Sequence, residues 1–159
     1  MPMRIGDARP SFEGATDWLN ELQETADDYV NGQPTLVYFW ATSCGICKEN
    51  MPKLQELKAK FKDRGLRTVA IHMPRYEADT DVEAVREAIS KYNITEPCAI
   101  DNEHKLRDAF QNEHGYVPAY YLFDAEGKLK SFAAGERGLN MLASALERVL
   151  AAAKQEASA

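Results

Sequence analysis

The chain has 159 residues, of which 45% are hydrophobic and 28% charged, which is enough for one well-buried core and too little for two ordinary domains. Its formal net charge of -6 argues against a protein that holds nucleic acid or an anionic membrane by a general basic field. Its three cysteines are too few for the disulfide framework of a small secreted domain.

The first half of the chain contains one strand-to-helix unit with a clear pattern. Residues 1–30 carry a weaker pattern, which favours a strand or turn at residues 11–14 and a helix at residues 18–29. Residues 35–40 form a short apolar, β-branched and aromatic run, which predicts a buried strand. From Cys44 to about Phe61, apolar residues recur at helical spacing, and Pro52 is expected to kink this helix. The pattern therefore places a Cys-x-x-Cys pair at the start of an amphipathic helix.

The second half alternates strands and helices. The pattern predicts a strand at residues 66–72, a helix at 82–92, a short strand at 98–100, a short helix at 106–110, a hairpin of strands 119–123 and 129–133, and a helix ending near residue 150. This order predicts one α/β domain over residues 1–151, with a central mixed β-sheet flanked by helices, followed by a frayed polar tail at residues 152–159.

Cys44 and Cys47 are the candidate catalytic residues. A helix N-terminus directs unpaired N–H groups and the positive end of the helix dipole at Cys44, which favours its thiolate. Cys47 lies about one helical turn further in, close enough to attack a mixed disulfide on Cys44. We therefore expect Cys44 to be the nucleophile and Cys47 the resolving cysteine.

Metal binding is the alternative interpretation of a Cys-x-x-Cys pair. It needs further ligands, and none of the remaining candidates, Cys98, His72, His104 and His114, is spaced as a second ligand pair. Covalent haem attachment needs His after Cys47, where Lys48 stands. We expect no metal and no bound cofactor.

The segment from Trp40 to Lys48, with an apolar strand before it and Pro52 after it, resembles the active-site segment of the thioredoxin superfamily. Val117-Pro118 resembles the cis-proline loop of that superfamily. The resemblance implies that the Val117-Pro118 peptide bond is cis and that Pro118 lies beside the cysteines. It also implies a substrate groove, which we expect to be lined by Trp40, Gly45, Ile46, Val117, Pro118 and Gly135.

An additional strand and helix at about residues 97–110 resembles the TlpA/ResA-like branch of thiol-disulfide oxidoreductases. The segments VYFWATSCGICKENMP, AIHMP, VPAYYLFDAEGKL and FAAGERG extend the similarity over nearly the whole chain. With no apolar leader at the N-terminus, the resemblance implies a cytosolic reductant with a role in cell redox homeostasis. We expect a monomer that acts on protein or small-molecule disulfides and is restored by an external electron donor.

The chain departs from its relatives at the carboxylates that help to deprotonate the resolving cysteine. Tyr38 stands where a thioredoxin has a buried Asp, and Asn50 stands where ResA has a Glu. Glu49 is adjacent to the second position, but one residue turns it about 100° around the helix. We therefore expect Cys47 to lose its proton to water or to the leaving thiolate of the substrate.

Several other residues have structural interpretations. We expect Cys98 to pack in the core and His72 to be a structural histidine at a strand end. The acidic cluster of Glu77, Asp79, Asp81 and Glu83 is interpreted as a solvated loop and helix start.

Two other functions compete with disulfide exchange. A thiol peroxidase of the peroxiredoxin type has Thr three residues before its cysteine and a Pro upstream, where this chain has Ala41 and Val37. A non-catalytic module for peptide binding or metal delivery would keep its function when both cysteines are replaced.

Overall fold

The computed structural model describes the backbone of residues 2–158 and the side chains of residues 2–151. The strands are β1 (Asp17–Leu19), β2 (Thr35–Trp40), β3 (Arg67–His72), β4 (Cys98–Ile100), β5 (Ala119–Phe123) and β6 (Leu129–Ala134). The helices are α1 (Ala26–Val30), α2 (Gly45–Lys62), α3 (Val82–Lys91), α4 (Lys105–Ala109) and α5 (Gly138–Ser158), with a 3-10 helix at Glu77–Thr80. Helix α5 continues to Ser158, past residue 150 where the pattern predicted its end, and the side chains of the expected frayed tail at residues 152–159 lie outside the described residues.

The six strands form one mixed sheet in the order β1-β4-β3-β2-β5-β6. Strands β2, β3 and β4 are parallel, whereas β1, β5 and β6 each pair antiparallel with their neighbours. The carboxyl ends of the three parallel strands therefore meet at one edge of the sheet. Because β2 runs directly into the loop before Cys44, this edge carries the cysteine pair.

The predicted helix at residues 18–29 is wrong for its first part. Asp17, Trp18 and Leu19 form strand β1 and pair with β4, and only residues 26–30 are helical. Leu19 is buried by this pairing, and Asn20 then adopts a left-handed conformation with φ 56°, which ends the strand. A three-residue edge strand is too short to show an alternating pattern, and only its partner β4 decides its conformation.

The sheet separates two apolar cores, and the alternation along β2 shows why. Leu36, Tyr38 and Trp40 face the core that contains both cysteines and is covered by α2, α3 and α5. Val37 and Phe39 face the opposite core, which is covered by α1 and α4. Every residue of β2 is buried, as expected for the central strand of a sheet with helices on both faces.

Helix α2 continues through Pro52 to Lys62 and buries Cys47, Met51, Leu54 and Phe61. Within the described residues, none of the helices combines the length and the apolar character that crossing a membrane requires.

Candidate active site

Cys44 is the N-cap residue of α2. Its backbone is extended (φ -92°, ψ 104°), and its Sγ accepts a hydrogen bond from the backbone N–H of Cys47 at 3.1 Å. The two cysteines form a disulfide, with their Cα atoms 5.3 Å apart. The sulfur of Cys44 thus satisfies one of the N–H groups that a helix N-terminus leaves without an intrahelical partner.

In this disulfide form neither cysteine is freely exposed. Cys44 retains 3% of its exposure and Cys47 2%, whereas Ile46, between them, is 37% exposed. Gly45 is also exposed, and a Cβ added to it would meet no atom within 4 Å. Exposure does not distinguish the two sulfurs, but position does, because only Cys44 caps the helix.

The loop before β5 lies at the same edge of the sheet. The Val117-Pro118 peptide bond is cis, as the resemblance implies. Phe39 pairs with Ala119 in the antiparallel β2/β5 ladder, so the next position places Pro118 opposite Trp40. Val117 is half-buried and packs against the core cluster that includes both cysteines.

Gly135 joins this edge through the carbonyl of Pro118. Its backbone N–H donates a 2.9 Å hydrogen bond to the Pro118 oxygen, and its φ of 77° is one that a residue with a side chain rarely adopts. The structure therefore brings Cys44, Cys47, Pro118 and Gly135 to one edge.

Trp40 is not on the groove surface where we expected it. It is the last residue of β2 and is only 1% exposed, because strand alternation turns its ring into the cysteine-side core. The ring contacts His72 edge-on, with 4.9 Å between the centroids. Trp40 supports the active-site loop from below, and the exposed surface begins at Ser43.

His72 is a buried, neutral residue beneath the same loop. Its Nε2 accepts a 3.0 Å hydrogen bond from the backbone N–H of Thr42, so this nitrogen carries no proton. Burial lowers the pKa of His72 to about 4, although the nearby charge of Asp79 acts in the opposite direction. This agrees with the structural role expected of His72.

Asp79 is buried against the loop before Cys44, a position that the local sequence pattern did not predict. It is 4% exposed and accepts hydrogen bonds from Thr42 Oγ1 and Ser43 Oγ, in the loop before Cys44. Burial raises its pKa, but hydrogen bonds from the Arg75 N–H, Ser43, Thr42 and the Tyr76 N–H outweigh this and lower it overall. The interpretation of Asp79 as part of a solvated acidic loop is therefore wrong. The local sequence could not show this, because Thr42 and Ser43 lie more than 30 positions earlier in the chain.

Glu96 is a second buried carboxylate whose burial the sequence pattern did not predict. It accepts a hydrogen bond from the Tyr38 hydroxyl at 2.5 Å and pairs with Lys58 Nζ at 2.6 Å. Tyr38, at the position of the thioredoxin Asp, is therefore a donor to a carboxylate from another segment. The Asn50 Nδ2 amide is buried with no hydrogen-bond partner among the described residues, and Glu49 is exposed.

Cys98 is buried in β4 and is a free thiol. Burial raises its pKa to about 12, so this thiol stays protonated at neutral pH. Within residues 2–151, no group of three or more His, Cys, Asp or Glu side chains is placed to hold a metal ion.

Known proteins resemble this chain over most of its length. The AhpC/TSA family model matches residues 5–132. The thiol-disulfide oxidoreductase YkuV of Bacillus subtilis is 43% identical over 149 residues, which cover 94% of this chain and 98% of that protein. The thiol-disulfide oxidoreductase ResA of Bacillus anthracis is 29% identical, over 92% of this chain and 79% of that protein.

Solved structures show the same fold. A thioredoxin-like protein in its oxidised form superposes with a TM-score of 0.82 at 43% identity, over 94% of this chain and 98% of the other. A thioredoxin-family thiol:disulfide interchange protein from Chlorobium tepidum gives a TM-score of 0.71 at 19% identity, over 94% and 99% of the two chains, and supports the fold alone. The expected thioredoxin fold is thus confirmed, and the chain belongs to the AhpC/TSA family, among its thioredoxin-like thiol-disulfide oxidoreductases.

Proposed function

We propose that this protein reduces substrate disulfides, with Cys44 as the attacking thiolate and Cys47 as the resolving cysteine. The observation that carries the proposal is the position of Cys44 as the N-cap of α2, where its sulfur accepts the Cys47 N–H at 3.1 Å. The same N–H group and the helix dipole stabilise a negative charge on Cys44 after reduction.

The reaction balances without a bound cofactor. The Cys44 thiolate attacks one sulfur of the substrate disulfide, forms a mixed disulfide and releases the other sulfur as a thiolate. Cys47 loses its proton to water or to that leaving thiolate and attacks Cys44 Sγ. The Cys44–Cys47 disulfide forms, the second substrate thiolate leaves, and two electrons have passed to the substrate. An external dithiol donor reduces the pair again.

The substrate groove is proposed to lie beside the cysteines at the exposed edge of the sheet. Its floor would be Gly45 and Ile46 at the start of α2, and its wall would be Val117, Pro118 and Gly135. The exposure of Ile46 and the 2.9 Å hydrogen bond from the Gly135 N–H to the Pro118 carbonyl oxygen support this arrangement. An extended substrate segment would pair with the backbone of Val117, a short case of strand addition.

We further propose that the protein works as a monomeric reductant in the cytosol. A free, buried Cys98 and a single Cys-x-x-Cys pair suit a compartment that keeps other thiols reduced. Size-exclusion chromatography and cell fractionation test the monomer and the location separately from the chemistry.

The experiment that tests the function is the midpoint potential of the Cys44–Cys47 couple, with the purified protein equilibrated across a dithiol/disulfide buffer series. A midpoint near about -270 mV supports a reductant, whereas one near about -120 mV indicates an oxidant. A protein without a reversible two-thiol couple would contradict the proposal.

Two variants test the roles of the cysteines. Cys47→Ser should stall as a mixed disulfide with its substrates, and Cys44→Ser should trap none. Activity that survives in the double variant would instead indicate a non-catalytic binding module, and peroxide turnover that exceeds disulfide turnover would indicate a peroxidase.

A further inference from the structure

The 3-10 helix Glu77–Thr80 holds a buried carboxylate against the segment that precedes Cys44. Asp79 accepts hydrogen bonds from Ser43 Oγ at 2.7 Å and Thr42 Oγ1 at 3.2 Å. It also accepts the backbone N–H groups of Arg75 at 3.0 Å and Tyr76 at 3.3 Å. A buried carboxylate is costly unless it is fully hydrogen-bonded, and these four donors satisfy both of its oxygens.

Arg75 contacts the same segment from the solvent side. One of its terminal guanidinium nitrogens donates to the Ser43 carbonyl oxygen at 2.8 Å and to Ser43 Oγ at 3.1 Å, and its Nε lies 3.2 Å from Ser43 Oγ. The Ser43 carbonyl belongs to the peptide bond that leads into Cys44. The exposed Arg75 guanidinium is therefore held on the residue that directly precedes the attacking Cys44 in the chain.

We propose that Asp79 and Arg75 are positioning residues for Cys44: Asp79 orients Ser43 and the Arg75 backbone, so that the Arg75 guanidinium stays on the Ser43 carbonyl beside the thiolate. This inference rests on the proposed role of Cys44 as the nucleophile. It assigns a function to the segment after β3, which lies outside the Cys-x-x-Cys and cis-proline motifs.

The two residues carry opposite charges, which separates positioning from simple electrostatics. A nearby cation favours the Cys44 thiolate, whereas a nearby anion disfavours it. If Asp79 acted only through its charge, its neutralisation would lower the pKa of Cys44. If Asp79 acts by holding Ser43 and Arg75, its neutralisation raises that pKa, because the cation loses its fixed place.

Other charged residues on neighbouring segments make no side-chain hydrogen bond to residues 42 and 43 in the described part of the chain. Lys48 and Glu49 come from α2, Glu77 from the 3-10 helix, and Glu136 and Arg137 from the loop after β6. Across the part of the chain whose side chains are described, only His72, Asp79 and Arg75 hydrogen-bond to residues 42 and 43 through their side chains. His72 is neutral above a pH of about 4 and contributes no charge at neutral pH.

The test measures the pH dependence of Cys44 alkylation by iodoacetamide, a neutral probe, in a Cys47→Ser background. Cys98 is buried and does not compete for the probe. We compare Asp79→Asn, Arg75→Gln and Ser43→Ala, the last of which removes an exposed hydroxyl shared by both contacts. Asp81→Asn and Arg86→Gln are the matched controls, since Asp81 caps α3 and Arg86 pairs with Glu83.

Each of the three test variants should raise the pKa of Cys44 by about half a unit to one unit, which slows alkylation below that pKa about three- to tenfold. In the protein with both cysteines, a threefold loss of thiolate stabilisation moves the midpoint about 14 mV more negative. The double variant Asp79→Asn with Arg75→Gln should shift the pKa no further than Arg75→Gln alone, because Asp79 acts through Arg75. The two controls should leave it unchanged.

A lower pKa of Cys44 in Asp79→Asn, or an unchanged pKa in Ser43→Ala, would overturn the proposal. If Asp79→Asn fails to fold, Ser43→Ala and Arg75→Gln still decide it. Alkylation of Cys44 needs no substrate, so a failure of the positioning role of Asp79 and Arg75 is distinct from a failure of the proposed function. The latter would appear as a missing reversible couple in the unaltered protein.

Discussion

At the scale of single residues, the loop before Cys44 depends on neutral and charged groups buried beneath it. His72 accepts the Thr42 N–H through Nε2 and packs against Trp40. Protonation of His72 would convert that acceptor into a donor and place a charge in the core. The loop should therefore be sensitive to acid through a residue that takes no part in the chemistry.

Stability should fall as the pH decreases from about 6.5 to about 4. The unfolded chain binds a proton at His72 near pH 6.5, whereas burial delays protonation of the folded chain to a pKa of about 4. The gap corresponds to roughly 3 kcal/mol, present above pH 6.5 and lost by about pH 4. Urea unfolding at a series of pH values measures it.

His72→Gln can keep an acceptor for Thr42 but cannot titrate, so its stability should lack this component of the pH dependence. His114→Gln, at an exposed position, should keep it. Parallel loss of stability in the unaltered protein and in His72→Gln would contradict the assignment, whatever other groups titrate in this range.

At the scale of elements, Glu96 links helix α2 to strand β2 on the side of the sheet that carries the cysteines. Lys58 of α2 and Tyr38 of β2 both donate to its carboxylate, and the Lys58 and Glu96 side chains are only 11% and 7% exposed. Burial lowers the pKa of Lys58, although the charge and hydrogen bond of Glu96 oppose this. Burial and the neighbouring Glu96 raise the pKa of Tyr38, so its hydroxyl remains a donor.

Glu96→Ala should destabilise the protein by about 3–5 kcal/mol, because it leaves the Lys58 ammonium and the Tyr38 hydroxyl buried without a partner. The double variant Lys58→Met with Glu96→Leu should recover a large part of that loss, since the unpaired charge is gone. Chemical denaturation measures both.

Glu147→Ala is the matched control, because Glu147 pairs with Lys60 across an exposed surface. Its unfolding midpoint should not change measurably, as is usual for exposed ion pairs. Equal losses in Glu96→Ala and Glu147→Ala would show that burial of the pair does not matter.

At the scale of the whole molecule, the strand added before the cis-proline strand, β4, extends the sheet, and the added helix α4 packs in the core opposite the cysteines. Phe110, which follows α4, lies within 5.8 Å of the rings of Phe12, Phe39 and Tyr121, measured between centroids. Helix α4 and Phe110 therefore cover the sheet face opposite the cysteines.

Phe110→Ala should cost about 3–5 kcal/mol through lost burial and the cavity that remains among these rings. Met141→Ala, at a position 57% exposed, should cost far less. The reduction potential should not change in Phe110→Ala, because the sheet separates the two cores. A large shift in the potential with little loss of stability would contradict this division.

The local sequence pattern was sufficient to predict the main helices and strands and the position of the cysteine pair. An apolar strand followed by a helical period placed Cys44 at the N-terminus of α2, and this local geometry depends on residues close together in sequence. The cis peptide bond at Val117-Pro118 followed only from the family resemblance.

The tertiary structure alone decided which residues surround that pair. The pairing of β1 with β4, the burial of Trp40, and the contacts of Asp79 and Glu96 join segments far apart along the chain. A single buried carboxylate in a polar segment has the same local appearance as a solvated one, because its donors come from elsewhere in the chain. Sequence by itself therefore determined the position of the Cys44–Cys47 pair at the start of a helix, and only the folded chain determined the hydrogen bonds to the loop that precedes the pair.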